Sequence, residues 1–432
     1  MSRLAAFTAS LLAAACAQAA ASAPQSVPIA RADVERVVAN LSSDEMRGRE
    51  AFSEDALRAA DFLAGEFAAA GLQAFDDSDG YLQRFTVNAY SMAPARAVVE
   101  GRSLSPDRFQ VRYGVPSIRW QTGDVEVIVA GPEDDANGLA VAVANSGIDA
   151  LVLIDEVHEE SFRTIAQIFR RPTQHVEGTQ AGTVVVALVN GTEESTYDIS
   201  AAADVLERPL VNVVGQIPGR RSDEYVLFSA HYDHLGIVRA LQGDSVANGA
   251  NDNASGVAAV VSLAKYFAAR GTPERTLLFA AFTAEEAGGF GSRYYSARVD
   301  PDDIVAMFNI EMIGKPAVSG PNTAWITGFE RSSFGTLLQE AVEGTEYEFY
   351  PDPYPQLGLF YRSDNARLAA LGVPAHSLST TPIDVDREYH QVTDEIETLD
   401  LDHLTNTIRA IARGAETIVS GEATPTRVDP LN

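Results

Sequence analysis

The feature that most constrains the fold is an alternation of continuous apolar runs with helical segments that begins at Tyr225. Runs without a polar face, such as residues 276–282 and 304–310, predict strands buried on both sides of a sheet. Amphipathic helical spacing precedes the alternation, over residues 31–41 and 54–70. Alternating strands and helices predict an α/β fold, a three-layer αβα sandwich around a mixed, mostly parallel sheet.

A long segment separates the two amino-terminal helices from this alternation. We interpret residues 95–207 as an inserted smaller lobe, and residues 24–94 together with 208–432 as the main domain. The lobe is expected either to roof a cleft of the main domain or to be a passive structural unit, and the sequence leaves both open.

The charge of the chain excludes one class of partner. Its 60 acidic residues against 32 basic ones give a formal net charge of -28. A nucleic-acid surface needs a basic footprint, so we expect no nucleic-acid partner. Binding to anionic membranes is disfavoured for the same reason. The sequence gives no indication of the oligomeric state.

The first residues have the composition of a secretory signal peptide. Residues 1–23 begin with Arg3, continue as an apolar stretch and reach a small-x-small pattern at residues 17–19. This predicts a periplasmic or secreted protein without a membrane span, because the apolar stretch is too short to cross a bilayer. Cys16, the single cysteine, is interpreted as part of the removed segment, and a lipid anchor at Cys16 is the alternative.

Polar residues with metal-binding side chains follow three of the buried strands. His231 follows the first run, Glu285 the second and Glu311 the third. In open α/β sheets the ligand crevice lies outside the carboxyl ends of the strands. We therefore expect these three side chains to meet at one edge of the sheet.

Each candidate motif also has a purely structural interpretation. His231-x-Asp233 fits a metal-bound imidazole oriented by a carboxylate, but alone it is more often structural. Asp252 lies in a polar loop that equally well caps a helix. The pair Glu285-Glu286 is compatible with the solvated start of a helix. It is equally compatible with two separate roles, in which one carboxylate binds a metal ion and the other is a general base. We expected the His234 side chain to point away from the site.

Taken together, the candidates favour a metal site. If Asp252 is shared, the candidates make two sites of three ligands each, and co-catalytic metals typically lie about 3.5–4 Å apart. The five ligand-type residues are His231, Asp252, Glu286, Glu311 and His390.

The order and spacing of these motifs resemble the bacterial co-catalytic dizinc aminopeptidases of metallopeptidase clan MH, which also contains glutamate carboxypeptidases and glutaminyl cyclases. The likeness is specific from His231 to His390 and weaker around Gly48-Arg49. The motifs that carry it are His231-x-Asp233, Asn251-Asp252-Asn253-x-Ser255-Gly256, Glu285-Glu286-x-Gly288, Asn309-x-Glu311-Met312-x-Gly314, Arg362-Ser363-Asp364 and Tyr389-His390.

The resemblance implies a role for each residue. His231, Asp252 and Glu311 would hold one zinc ion. Asp252, Glu286 and His390 would hold the second.

The same resemblance implies the residues that act on the substrate. Glu285 would be the general base, and Asp233 would orient His231. Tyr389 would stabilise the oxyanion, and Arg362 would contact the substrate. The implied activity is hydrolysis of amino-terminal residues from peptides by a zinc exopeptidase with two zinc ions. The inserted lobe would be a degenerate protease-associated domain.

Two positions depart from the family pattern, and three other functions stay open. Glu311 stands where the family most often has Asp, which lengthens the side chain by about 1.5 Å. Asn365 stands where many relatives have His. The alternatives are a glutaminyl cyclase, a carboxypeptidase, for which Arg362 is the one obvious carboxylate-binding residue, and a non-catalytic binding module, which would be expected to have lost ligands.

Overall fold

The computed structural model describes residues 28–75, 78–179 and 181–431. The predicted signal segment 1–23, including Cys16, lies outside the described residues. Within them the chain forms nine α-helices: α1 Arg31–Leu41, α2 Glu54–Ala69, α3 Ala136–Asn145, α4 Glu159–Phe169, α5 Gly256–Ala268, α6 Phe290–Ser296, α7 Phe334–Ala341, α8 Asn365–Ala370 and α9 Leu401–Val419.

The strands belong to one large sheet and two small ones. In chain order they are β1 Gln73–Ala74, β2 Leu82–Val99, β3 Arg102–Ser103, β4 Phe109–Arg112, β5 Ser117–Gln121, β6 Glu126–Ala130, β7 Ala150–Ile154, β8 Thr173–Val176, β9 Val184–Leu188, β10 Tyr197–Ile217, β11 Arg221–His231, β12 Gly236–Leu241, β13 Asp244–Ala247, β14 Arg275–Phe282, β15 Ile304–Ile310, β16 Thr323–Ile326, β17 Glu348–Pro351 and β18 Ala375–Ser379.

The large sheet is mixed, as predicted. Its main path runs β17-β16-β18-β15-β11-β14-β10-β2-β3. Neighbouring strands from β14 through β11 and β15 to β18 are parallel, whereas β10 and β2 continue the sheet in antiparallel pairing. The parallel centre puts the carboxyl ends of β14, β11 and β15 side by side at one edge.

Helices cover both faces of this sheet, which confirms the three-layer sandwich. On β11, Phe228 faces the core formed with α1, α2, α5, α7 and α9, while Leu227 faces the core formed with α6 and α8. The predicted helix over residues 31–41 has the bounds of α1, and its apolar spacing buries Val34, Val37 and Val38 against this core. Helix α2 lies within the predicted range 54–70 and buries Leu63 and Phe67 against the same core, whereas Leu57 is 39% exposed.

A second sheet lies within the segment predicted to be a lobe. It has the order β4-β9-β7-β6, with α3 and α4 on one face. The strands β2 and β10 pair along almost their whole length and run through both predicted lobe boundaries. Two strands shared with the large sheet therefore connect the lobe to the main domain. The division at residues 95 and 207 stays a prediction.

Among the described residues, no helix combines the length and the apolar composition that a bilayer crossing requires.

Candidate metal centre

The ends of three neighbouring strands place the first members of the site. His231 is the last residue of β11, Glu311 follows β15 directly, and the pair Glu285-Glu286 follows β14 after a two-residue turn. Because these strands are parallel, their carboxyl ends lie at the same edge, as the sequence predicted. Asp252 comes from the turn before α5.

One half of the site is formed by three side chains. His231 Nε2 lies 3.3 Å from Asp252 Oδ1 and 3.4 Å from Glu311 Oε2. All three atoms are close enough together to share one metal ion. The imidazole and the Asp252 carboxylate are buried, and Glu311 is partly buried.

The other half uses the second oxygen of the same aspartate. Asp252 Oδ2 lies 3.3 Å from His390 Nε2, which is also 3.3 Å from Glu286 Oε1. The two oxygens of Asp252 therefore face different ligand groups. A carboxylate whose two oxygens face different ligand groups is suited to bridge two cations.

His234 belongs to the same cluster, contrary to the sequence-based expectation. Its Nδ1 lies 3.1 Å from Glu286 Oε1 and 3.9 Å from Asp252 Oδ2, and the ring is buried. The expectation assumed strand alternation beyond His231, but β11 ends at that residue. A third imidazole is thus within reach of the second half of the site.

Asp233 supports the site in a different way from the one expected. His231 Nδ1 is 3.1 Å from the backbone oxygen of Asp233, whereas the nearest carboxylate oxygen is 3.8 Å away. The carboxylate instead accepts hydrogen bonds from the backbone N–H groups of Glu285, at 3.0 Å, and Glu286, at 3.3 Å. Asp233 therefore fixes the backbone of the glutamate pair as well as the imidazole.

Two buried residues to which the sequence analysis assigned no role support the Asp252 turn. The carboxylate of Asp394 accepts hydrogen bonds from the backbone N–H of Asn251 and of Asp252, both at 2.9 Å. Arg49 donates to backbone oxygens on both sides of the site, among them those of Tyr232 and Asn248, each at 2.7 Å. Arg49 belonged to a weakly matching dipeptide, and no local pattern pointed to Asp394.

Three side chains donate hydrogen bonds to the carboxylate of Glu311. Asn253 Nδ2 donates to Oε2 at 2.9 Å, Ser363 Oγ to Oε1 at 2.5 Å, and Asn309 Nδ2 to Oε1 at 3.3 Å. The longer side chain at this position is thus matched by surrounding donors that fix both oxygens.

The electrostatics of the cluster fit divalent cations. Burial lowers the pKa of His231, but Glu311 and Asp252 outweigh burial, so this pKa lies well above its ordinary value. The hydrogen bonds with His231 and His390 likewise outweigh burial and lower the pKa of Asp252. Carboxylates this close together repel one another unless a positive charge lies between them. Two zinc ions fit this donor set, because zinc binds imidazole nitrogen and carboxylate oxygen.

The two adjacent glutamates differ in their surroundings. Glu286 faces two imidazoles, while the Glu285 carboxylate has no hydrogen bond or ion pair with any residue that the structure describes. Burial raises the pKa of Glu285 well above its ordinary range; the charge of His231 opposes this shift, and the charges of Asp364 and Glu311 add to it. A free carboxylate with a raised pKa is a suitable general base.

A cavity of about 160 Å³ opens beside these residues. It brings Tyr389 and Arg362 to the same space as Glu285 and the five ligand-type side chains. Burial raises the pKa of Tyr389, so its hydroxyl stays protonated and can donate a hydrogen bond. The apolar part of the lining consists of Met312, Trp325, Leu357, Leu359 and Ile383.

Comparison with known sequences identifies the part of the chain that contains the site. Residues 212–415 match Peptidase family M28, and this range includes every site residue from His231 to His390. This segment belongs to Peptidase family M28. The resemblance drawn from the motifs is thereby confirmed over residues 212–415, which are called the M28 domain below.

The relatives of this M28 domain are distant. A probable zinc metalloprotease of Pyricularia oryzae is 35% identical over 106 residues, which cover 24% of this chain and 21% of that protein. Leucine aminopeptidase 1 of Ajellomyces capsulatus is 24% identical over 243 residues, 52% of this chain and 61% of that protein. The chain thus spans about a fifth of the length of the first relative and less than two thirds of the second.

A solved structure confirms the fold over nearly the full length. The aminopeptidase from Aneurinibacillus sp. strain AM-1 aligns with a TM-score of 0.53 at 17% identity, over 94% of this chain and 96% of that chain. The αβα architecture of the M28 domain is therefore shared with a known aminopeptidase.

Proposed function

We propose that the chain is a zinc-dependent exopeptidase that removes amino-terminal residues from peptides, with two zinc ions bound. The proposal rests on the position of the Asp252 carboxylate, which has one oxygen toward His231 and the other toward His390. Two of its relatives are named as a probable zinc metalloprotease and as leucine aminopeptidase 1, and these names support the same function.

The distances support the two ligand groups that the resemblance implies, with His234 as a further imidazole beside the second group. His231, Asp252 and Glu311 form one group, and Asp252, Glu286 and His390 form the other. When bound, the zinc ions would polarise the scissile carbonyl and acidify the attacking water.

The remaining steps use side chains of the chain itself. Glu285 takes the proton of the attacking water and returns it to the leaving amine, since its carboxylate lines the cavity and has no partner among the described residues. Tyr389 donates a hydrogen bond to the developing oxyanion. Arg362, at the exposed side of the cavity, contacts the substrate. Arg362 is the one Arg or Lys among the cavity's described lining residues, which favours an aminopeptidase over a carboxypeptidase.

The proposal is tested by metal content together with a substrate panel. Purified protein is analysed by mass spectrometry for zinc and assayed with aminoacyl anilides that have a free or a blocked amine. We expect two zinc ions per chain and cleavage of the free-amine substrates alone, inhibited by a chelator. One zinc ion with cyclisation of amino-terminal glutamine would indicate a cyclase. Cleavage of blocked peptides from the carboxyl end would indicate a carboxypeptidase, and zinc without turnover a binding module.

Replacing Asp252 with alanine should remove the bridge. Because both groups of ligands share this carboxylate, we expect Asp252→Ala to lose zinc from both positions together with activity. Zinc per chain is measured after dialysis, with Asp244→Ala as the exposed control. A variant that keeps two zinc ions would contradict a bridging role.

Shortening Glu311 should weaken one group of ligands. Glu311→Asp withdraws the carboxylate by about 1.5 Å from His231 and from its three donors. We expect zinc affinity at this position to fall by about tenfold or more. Competition with a chromogenic chelator measures the affinity. Unchanged affinity would mean that the ion can follow the shorter side chain.

We also propose a periplasmic or secreted location, supported by the composition of residues 1–23. Amino-terminal sequencing of the exported protein tests this, and an uncleaved amino terminus would contradict it.

A further inference from the structure

A second cavity, of about 420 Å³, lies between the lobe and the main domain. Its charged and titratable lining residues lie on four different elements. Arg112 ends β4 in the lobe sheet, His175 lies on β8, Arg293 on α6 and Arg367 on α8. Contacts of α6 with both β8 and α8 hold these walls together.

The charge of this cavity is the opposite of the charge of the chain. Three arginines line it, and no Asp or Glu is among its described lining residues. Within the part of the chain that the structure describes, none of the three guanidinium groups forms an ion pair within 4.0 Å or a side-chain hydrogen bond. In a chain of net charge -28, three clustered arginines without a carboxylate partner require an explanation.

The unpaired charges carry an energetic cost. Arg293 is half-buried, and its Nε is buried without a hydrogen-bond partner among the described residues. Burial, followed by the charge of Arg367, lowers the pKa of Arg293 to about 10. Burial also lowers the pKa of His175, and Arg112 and Arg293 add to that effect. The positive charges of the cluster therefore repel one another, and a bound anion would reduce this repulsion.

We propose that this cavity binds a multiply charged oxyanion, a phosphate or a phosphate monoester, held by Arg112, Arg293 and Arg367. The planar guanidinium group presents paired N–H donors that match phosphate oxygens. Ser296, one turn after Arg293 on α6, also lines the cavity, and its hydroxyl donates to the backbone oxygen of Arg293 at 3.2 Å. The volume exceeds that of inorganic phosphate, which leaves room for an organic part of the ligand.

Such a ligand would connect the lobe to the active-site side of the M28 domain. Helix α6 begins four residues after Glu286, and α8 begins three residues after Arg362. The anion would contact both of these helices and β4 at once. This proposal concerns binding at a separate cavity and does not depend on the proposed peptidase activity.

Calorimetric titration of the zinc-loaded protein tests the proposal. Inorganic phosphate, sulfate and glucose 6-phosphate are titrated at constant ionic strength, with chloride as the monovalent reference. We expect saturable binding of one anion per chain, and at least tenfold weaker binding in Arg293→Gln. Binding of glucose 6-phosphate at least tenfold tighter than phosphate would assign a phosphate monoester, and equal affinities would assign free phosphate.

Two kinds of variant keep the result interpretable. Arg119→Gln removes the same charge from an exposed position on β5 outside the cavity and should bind as the unmodified chain does. Arg112→Gln and Arg367→Gln test the other two walls if Arg293→Gln is poorly folded. In phosphate-free chloride buffer, Arg293→Gln should unfold at no lower temperature than the unmodified chain. Equal binding by all three cavity variants, or no saturable binding of any probe, would overturn the proposal.

Discussion

Replacing Glu285 with glutamine is expected to lower kcat by about 10³-fold while both zinc ions stay bound. The amide has nearly the same shape as the carboxylate but cannot accept the proton of the attacking water. Glu285 is in neither of the two ligand groups proposed for the ions, and its backbone is held independently by Asp233. The loss should therefore appear in turnover rather than in metal content or fold.

The measurement pairs kinetics with metal analysis on the same sample. kcat and KM are determined with an aminoacyl anilide, and zinc per chain is determined by mass spectrometry. Glu340→Gln, on the exposed side of α7, removes the same charge away from the cavity and should leave both values unchanged. A Glu285→Gln variant with two zinc ions and kcat within tenfold of the unmodified chain would assign the base to another residue.

Replacing Arg49 with methionine is expected to lower the free energy of unfolding by about 3–5 kcal/mol. This guanidinium is fully buried and donates to four backbone oxygens, those of Leu41, Tyr232, Asn248 and Gly249. Methionine has a similar length but no donor. Four buried carbonyl groups would lose their hydrogen bonds at once, and each unsatisfied group is costly.

The same substitution should affect the metal site. Arg49 joins the segment before Asp252 to the residue between His231 and Asp233. Its charge also offsets part of the buried carboxylate cluster, although burial lowers its own pKa to about 10. We expect weaker zinc binding in addition to the lower stability.

Urea unfolding of the zinc-loaded protein measures the stability, with circular dichroism as the probe. Arg49→Lys should recover only part of the loss, because one ammonium group cannot reach four oxygens in the planar geometry of a guanidinium. Arg96→Met removes an exposed arginine with a single ion pair to Asp198 and should cost less than about 1 kcal/mol. A loss from Arg49→Met no larger than this control would show that the carbonyl groups find other partners.

The positions of the catalytic strands followed from local pattern alone. Continuous apolar runs such as residues 276–282 can be buried only between two layers, and the helical spacing of residues 31–41 left one face for the core. Local pattern indicated only the end segments of the long strands β2 and β10, near residues 97–100 and 210–217, and not their full length. Each contains a proline, Pro94 and Pro209, and much of their length is polar, so only their pairing with each other defines them as strands.

The sequence by itself predicted that His231, Glu285 and Glu311 lie at one edge of the sheet, because side chains that follow neighbouring parallel strands lie at the same edge. It also pointed to Asp252 and His390, but not to His234, as members of the candidate site. Only the tertiary structure decided how these side chains are held. His234 turns into the cluster because its strand has already ended, and Asp394 and Arg49 reach the Asp252 turn from distant parts of the chain. Local sequence fixes residue type and spacing, whereas hydrogen bonds across such separations depend on the folded arrangement of the whole domain.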